Sequence, residues 1–125
     1  MSDLKNIEIA KEAALLAGEI LVNTKSDLNH EKESKGKDIK LLADIEAENA
    51  IKQYISKHSL HPILGEETGK SVEDLGDTFW VIDPLDGTAN YSRNIPICCV
   101  SIALIEKMKP SVGVIYDFNH KDLYE

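Results

Sequence analysis

The chain has 125 residues, 42% of them hydrophobic and 29% charged, and carries a net charge of −8. That make-up fits one globular domain or part of one and argues against a basic nucleic-acid-binding surface. No run approaches the roughly 18 consecutive apolar residues of a membrane span, and MSDLKNIEIAKEA mixes charges into its apolar positions, unlike a signal peptide, so the expected compartment is the cytoplasm, with no membrane partner.

The spacing of Leu4, Ile7, Ala10, Ala14, Ala17 and Leu21 predicts a packing helix over 3–23, with Ser2 or Asp3 as its cap. Residues 24–40 then change character: five lysines, four acidic residues and one large aliphatic side chain, Leu28, before Asp38. So little apolar material predicts a solvated surface loop, the alternative being a flap that orders over a ligand. A second helix is expected over 43–58, with Ala47, Ala50, Ile51, Tyr54, Ile55 and His58 on one face. Asp44 sits near its start, where a carboxylate can cap backbone N–H groups.

A short extended run at 61–64 ends in Gly65-Glu66-Glu67, and the polar residues 68–77 read as a loop. Residues 78–82 are aromatic and β-branched and predict a strand. Residues 90–96 form a turn-rich connection. The nearly continuous apolar run 97–106 predicts a strand buried on both faces. Within it Cys98 and Cys99 are adjacent, pointing to opposite faces, and read as small hydrophobes rather than a disulfide or metal pair. The four histidines lack a zinc-site spacing. After a turn at 107–110, Val112, Val114, Tyr116 and Phe118 alternate along a strand that pairs antiparallel with the one before. Another turn at 119–120 leads into a third strand from 121, and the sequence stops inside it, with an edge to be paired or covered.

The stretch FWVIDPLDGTANY, residues 79–91, runs from strand into Asp83-Pro84-Leu85-Asp86-Gly87. This is good β-turn chemistry, and a turn can bring the first and fourth side chains to one side. Two converging carboxylates repel unless a cation lies between them. Mg²⁺ suits such a site, with the Leu85 carbonyl as a further hard oxygen, and the N–H groups after Gly87 can hold a phosphate. The pentapeptide alone leaves a metal site and a plain turn equally open. For an acidic chain acting on phosphate esters, bound cations would offset the charge.

WVIDPLDGTANY closely resembles the signature of the inositol monophosphatase family of Mg²⁺-dependent, lithium-sensitive phosphatases. GEE at 65–67 resembles its metal-binding glutamate motif. GKDIKLLADIEAE at 36–48 resembles the segment that places an aspartate near the nucleophilic water, and IPICCVSIAL resembles the buried strand after the signature. The resemblance implies an α+β fold, a layered helix/sheet sugar-phosphatase architecture whose N-terminal part has two helices followed by a mainly antiparallel sheet. Residues 1–125 correspond to the N-terminal portion of such a domain, without the C-terminal portion that carries a further metal-binding aspartate and the groups gripping the alcohol.

The same resemblance implies roles. Glu66, Asp83 and the Leu85 carbonyl hold one Mg²⁺; Asp83 and Asp86 hold a second; Glu66 also contacts a weaker third ion. Gly87 and Thr88, beside Asp86, bind the phosphate through backbone N–H groups. Thr88 with Asp44 helps to activate the attacking water, which makes Asp44, Glu66 and Thr88 the catalytic set. The family usually has threonine where this chain has Ala89, and no lysine of 32–40 falls into register as a flap residue. The implied activity is hydrolysis of a small phosphorylated metabolite, first of all inositol monophosphate, by a homodimer that binds no nucleic acid. The alternatives are a 3′-phosphoadenosine-5′-phosphate nucleotidase or fructose-1,6-bisphosphatase of the same family, or a non-catalytic metal- or phosphate-binding domain.

Overall fold

A computed structural model describes residues 5–28, 33–65, 69–70, 74–86 and 98–125, with side chains described at all of these except 24–28, 33–42 and 86. Two helices come first, α1 (Asn6–Leu28) and α2 (Glu33–His58). In α1 the buried hydrophobic residues among those described are Ile9, Ala10, Ala13, Ala14, Ala17 and Leu21, recurring at three- and four-residue steps. Their small side chains let α2 approach closely, and α2 buries Ala43, Ala47, Ile51 and Ile55 in return. Glu8 in the first turn of α1, and Lys57 with His58 in the last turn of α2, complement the helix dipoles.

The surface loop expected over 24–40 is corrected. Residues 24–28 continue α1, and α2 begins at Glu33 rather than at 43. Once a packed half has nucleated a helix, adding further turns costs little even through a polar run such as 33–38. Asp44 consequently lies well inside α2 and cannot cap it.

Six strands follow among the described residues: β1 (Ile63–Gly65), β2 (Gly69–Lys70), β3 (Thr78–Asp86), β4 (Cys99–Glu106), β5 (Lys109–Asp117) and β6 (Asp122–Tyr124). They form one sheet in the order β2-β1-β3-β4-β5-β6. β1 and β3 run parallel; every other pairing is antiparallel. The expected α+β class, the β4–β5 hairpin and the strand after residue 121 are all present. The loop expected over 68–77 contains the two-residue β2, paired back onto β1.

Both helices cover one face of the sheet. Trp80, Ile82, Val100, Ile102, Leu104, Val114 and Phe118 pack into that layer. Trp80 ties the layers together: its indole Nε1–H donates to Ser59 Oγ, just past the end of α2, at 3.1 Å, and its backbone N–H donates to the Pro62 carbonyl at 2.8 Å. The expectation that 97–106 is buried on both faces is corrected. In β4, Val100, Ile102 and Leu104 are buried, whereas Cys99, Ser101, Ala103 and Ile105 on the other side are only half-buried. Cys98 is buried and Cys99 half-buried, both as free thiols. No described helix is long and apolar enough to cross a membrane.

Candidate functional site

The chemistry expected from the sequence centres on the C-terminal ends of β1 and β3, which lie side by side because those strands are parallel. Gly65 pairs with Ile82, and Asp83 follows on β3. The structure differs from the expected turn here. β3 continues through Pro84 to Asp86, and the irregularity falls inside its pairing with β4. Asp83 lies opposite Ser101 and Asp86 opposite Cys99, so β3 uses one more residue than β4 over this span. This is a β-bulge, and it is what admits a proline into a central strand.

The bulge has a consequence for the aspartates. Residues three apart in a regular strand occupy opposite faces. Ser101 and Cys99, two apart on β4, share a face. Their partners, positions 83 and 86, therefore share a register face as well. The bulge thus achieves the one-sided arrangement that a turn was expected to supply. Asp83 is half-buried, and its Oδ1 accepts a hydrogen bond from the Leu85 N–H at 3.2 Å. This Asx closure holds the carboxylate over the bulge while occupying one of its roughly four acceptor sites.

Of the other residues singled out in the sequence, Glu66, Gly87 and Thr88 lie outside the described residues, as does the side chain of Asp86. Asp44 is described, and it is 5% exposed. It sits on the inward face of α2 beside Ala43 and Ala47, an unusual position for a carboxylate unless it is paired or functional.

One residue in this region was not singled out in the sequence. Glu48, one turn beyond Asp44, has no exposed surface at all. Its carboxylate packs against Gly65: a Cβ added to that glycine would lie 2.7 Å from Glu48 Cδ and 2.8 Å from Oε2. Both acids take part in polar interactions rather than standing isolated. The signal available in the sequence was their spacing, which sets Asp44 and Glu48 at i and i+4 on the face carrying Ala47 and Ile51.

Among the described residues, no group of three or more His, Cys, Asp or Glu side chains is gathered to hold a metal ion. The donors present at the end of β3 are the Asp83 carboxylate and the Leu85 main-chain carbonyl. Both are hard oxygens, the type Mg²⁺ selects, and Mg²⁺ takes few ligands from protein. The donor chemistry therefore fits that ion.

Comparisons with known proteins agree with the fold. The profile of the inositol monophosphatase family matches residues 3–125. An inositol-1-monophosphatase from Synechocystis sp. is 36% identical over 98% of this chain and 44% of its own length. A fructose-1,6-bisphosphatase/inositol-1-monophosphatase from Aquifex aeolicus is 40% identical over 93% of this chain and 45% of its own. The solved structure of inositol monophosphatase from Anabaena (Nostoc) sp. PCC 7120 superposes with a TM-score of 0.78 at 39% identity, covering 94% of this chain and 41% of that one. The chain thus spans less than half the length of each.

Proposed function

The chain belongs to the inositol monophosphatase family, and from that premise we propose that it forms the N-terminal portion of a Mg²⁺-dependent phosphatase. The substrate class is a small phosphate monoester, with inositol monophosphate the first candidate. The observation that carries this reading is the bulge at Asp83 and Asp86, which gives two acidic positions one register face beside a main-chain carbonyl.

In this reading Asp83, Asp86, the Leu85 carbonyl and Glu66 hold the metal. The bound ion supplies Lewis-acid polarisation of the phosphoryl group and makes the attacking water more acidic. The rest falls to the chain itself. Gly87 and Thr88 offer backbone N–H groups to the phosphate oxygens, as free N–H groups after a strand do in anion sites. Thr88 and Asp44 orient the attacking water and take up its proton. The Asx bond from Leu85 to Asp83 fixes the carboxylate before substrate arrives, so less ordering is left for binding. We place the enzyme in the cytoplasm as a homodimer acting on a soluble phosphorylated metabolite. A bisphosphatase reading within the same family draws support from the double name of the Aquifex aeolicus relative.

The test is phosphate release from inositol 1-phosphate and from fructose 1,6-bisphosphate, with and without Mg²⁺, together with direct Mg²⁺ titration. Asp83→Asn keeps the shape of the side chain and removes its charge. Mg²⁺ binding should weaken by at least about a hundredfold in that variant, since even residues behind a metal's direct ligands are worth 10–100-fold. Release should fall with it. A folded chain whose Mg²⁺ affinity is untouched by Asp83→Asn would exclude the assignment. Binding that depends on Asp83 without any release would mean that the metal site is present and that turnover needs the C-terminal portion.

A further inference from the structure

Glu48 is the largest buried polar side chain described, and the assignments above give it no task. Burying a carboxylate is costly, and an apolar residue of similar volume would fill the space at least as well. Gly65 raises a matching question. It does not need glycine's left-handed freedom, because the described glycines with positive φ are Gly69 and Gly76. Its missing Cβ is accounted for by Glu48, whose Cδ, Oε2 and Oε1 would lie 2.7, 2.8 and 3.0 Å from such an atom. With no exposed surface, the carboxylate has no solvent to retreat into. The two residues form one fitted pair, an acid on α2 seated over a bare backbone on β1.

The location of the pair gives it a use. Gly65 is the last residue of β1 and pairs with Ile82, the residue before Asp83. We infer that Glu48 is a positioning residue: by seating on Gly65 it locks the ends of β1 and β3 against α2 and so sets the backbone from which the Asp83 carboxylate departs. This rests on the reading of Asp83 as a metal ligand. Its role is to act through Gly65 and the strand pairing.

The experiment compares Glu48→Gln with the parent chain by residue-resolved amide hydrogen exchange and by Mg²⁺ titration. Glutamine keeps the volume and removes the charge. Exchange at the Leu85 N–H, which donates to Asp83, should rise at least about tenfold, while Val114, remote in the sheet order, stays within about twofold. Mg²⁺ affinity should fall about 10–100-fold, the usual penalty for losing a supporting contact. Equal exchange at Leu85, or an equal rise at Leu85 and Val114, overturns the proposal, since a merely structural role predicts one of these. A metal affinity unchanged by Glu48→Gln but lost in Asp83→Asn also overturns it and leaves the site reading intact. If the parent chain binds no Mg²⁺, the site reading fails, and the exchange result alone decides whether Glu48 locks the strand ends. A second pair of variants checks the fit itself. Gly65→Ala should lower the thermal midpoint more in the parent than in a Glu48→Ala background, where the Cβ has room; equal losses overturn the fitted pair.

Discussion

At the tip of the β4–β5 hairpin, Lys107 and Met108 both hold positive φ, 51° and 66°. Two consecutive residues in this region are what a two-residue hairpin turn of the favoured hand demands, and the pairing of Glu106 with Lys109 closes it. Lysine and methionine are poor occupants, because a side chain in the left-handed region costs of order 1–3 kcal/mol. Met108 is 84% exposed, so no packing holds it there. Replacing Lys107-Met108 by Asn-Gly should therefore stabilise the chain by about 1 kcal/mol. Chemical denaturation checks this; an unchanged or lowered midpoint would mean the strain is absent or offset. The sequence marked a turn over 107–110 but not its type, since Asn-Gly, the usual signal, is missing. Pro110 instead falls in β5, next to a bulge at Ser111 whose hydroxyl donates to the Leu104 carbonyl at 3.3 Å.

Between elements, the α1–α2 contact leaves a titratable signature. Tyr54 of α2 lies half-buried and stacks at a tilt on His58 one turn on, with ring centroids 4.6 Å apart. Burial raises its pKa above the ordinary 10.0, and the carboxylates of Glu12 and then Glu8 on α1 add to the rise. The folded chain therefore holds this proton more tightly than the unfolded chain does. The resulting stability is fully present below the unfolded pKa and is lost as pH rises past 10 and through the raised folded value. Glu12→Gln should move the Tyr54 titration back toward, but not onto, its ordinary value, because burial is the larger cause. Phenol carbon shifts in an NMR titration would follow it; a titration unmoved by removing both Glu12 and Glu8 would rule out the charge contribution. The packed half of each helix was legible because alanines and isoleucines mark its face. The extension over 24–28 and 33–38 was not, because a polar run with so few apolar residues leaves no apolar stripe in the sequence to mark it. Glu48 escaped notice for a related reason: one acid among many in α2 looks solvated until Gly65 is folded against it.

Across the whole molecule, the layers explain both the success and the failure of reading β4. Its apolar run correctly marked a strand, and the structure makes that strand central, paired on both sides by β3 and β5. The run could not say how many layers cover it, because continuous hydrophobicity fits burial on two faces and also burial on one face with a half-covered other. The aspartates were legible as residue types, yet their shared face depends on a bulge that exists only once β3 is paired with β4. The family match and the superposition both span nearly the whole chain and support the same two-layer order of helices on sheet. That order makes a test within a single strand. Ile102 is fully buried against the helices, and Ile105 is half-buried on the opposite side. Ile102→Ala should cost about 2–5 kcal/mol, as large-to-small changes in a packed core do. Ile105→Ala should cost well under half of that, because it removes less buried surface and leaves no enclosed cavity. Denaturant midpoints of the two variants measure the difference directly. Equal losses would mean that the far face of the sheet is as tightly covered as the helix face, and the layer order drawn here would have to change.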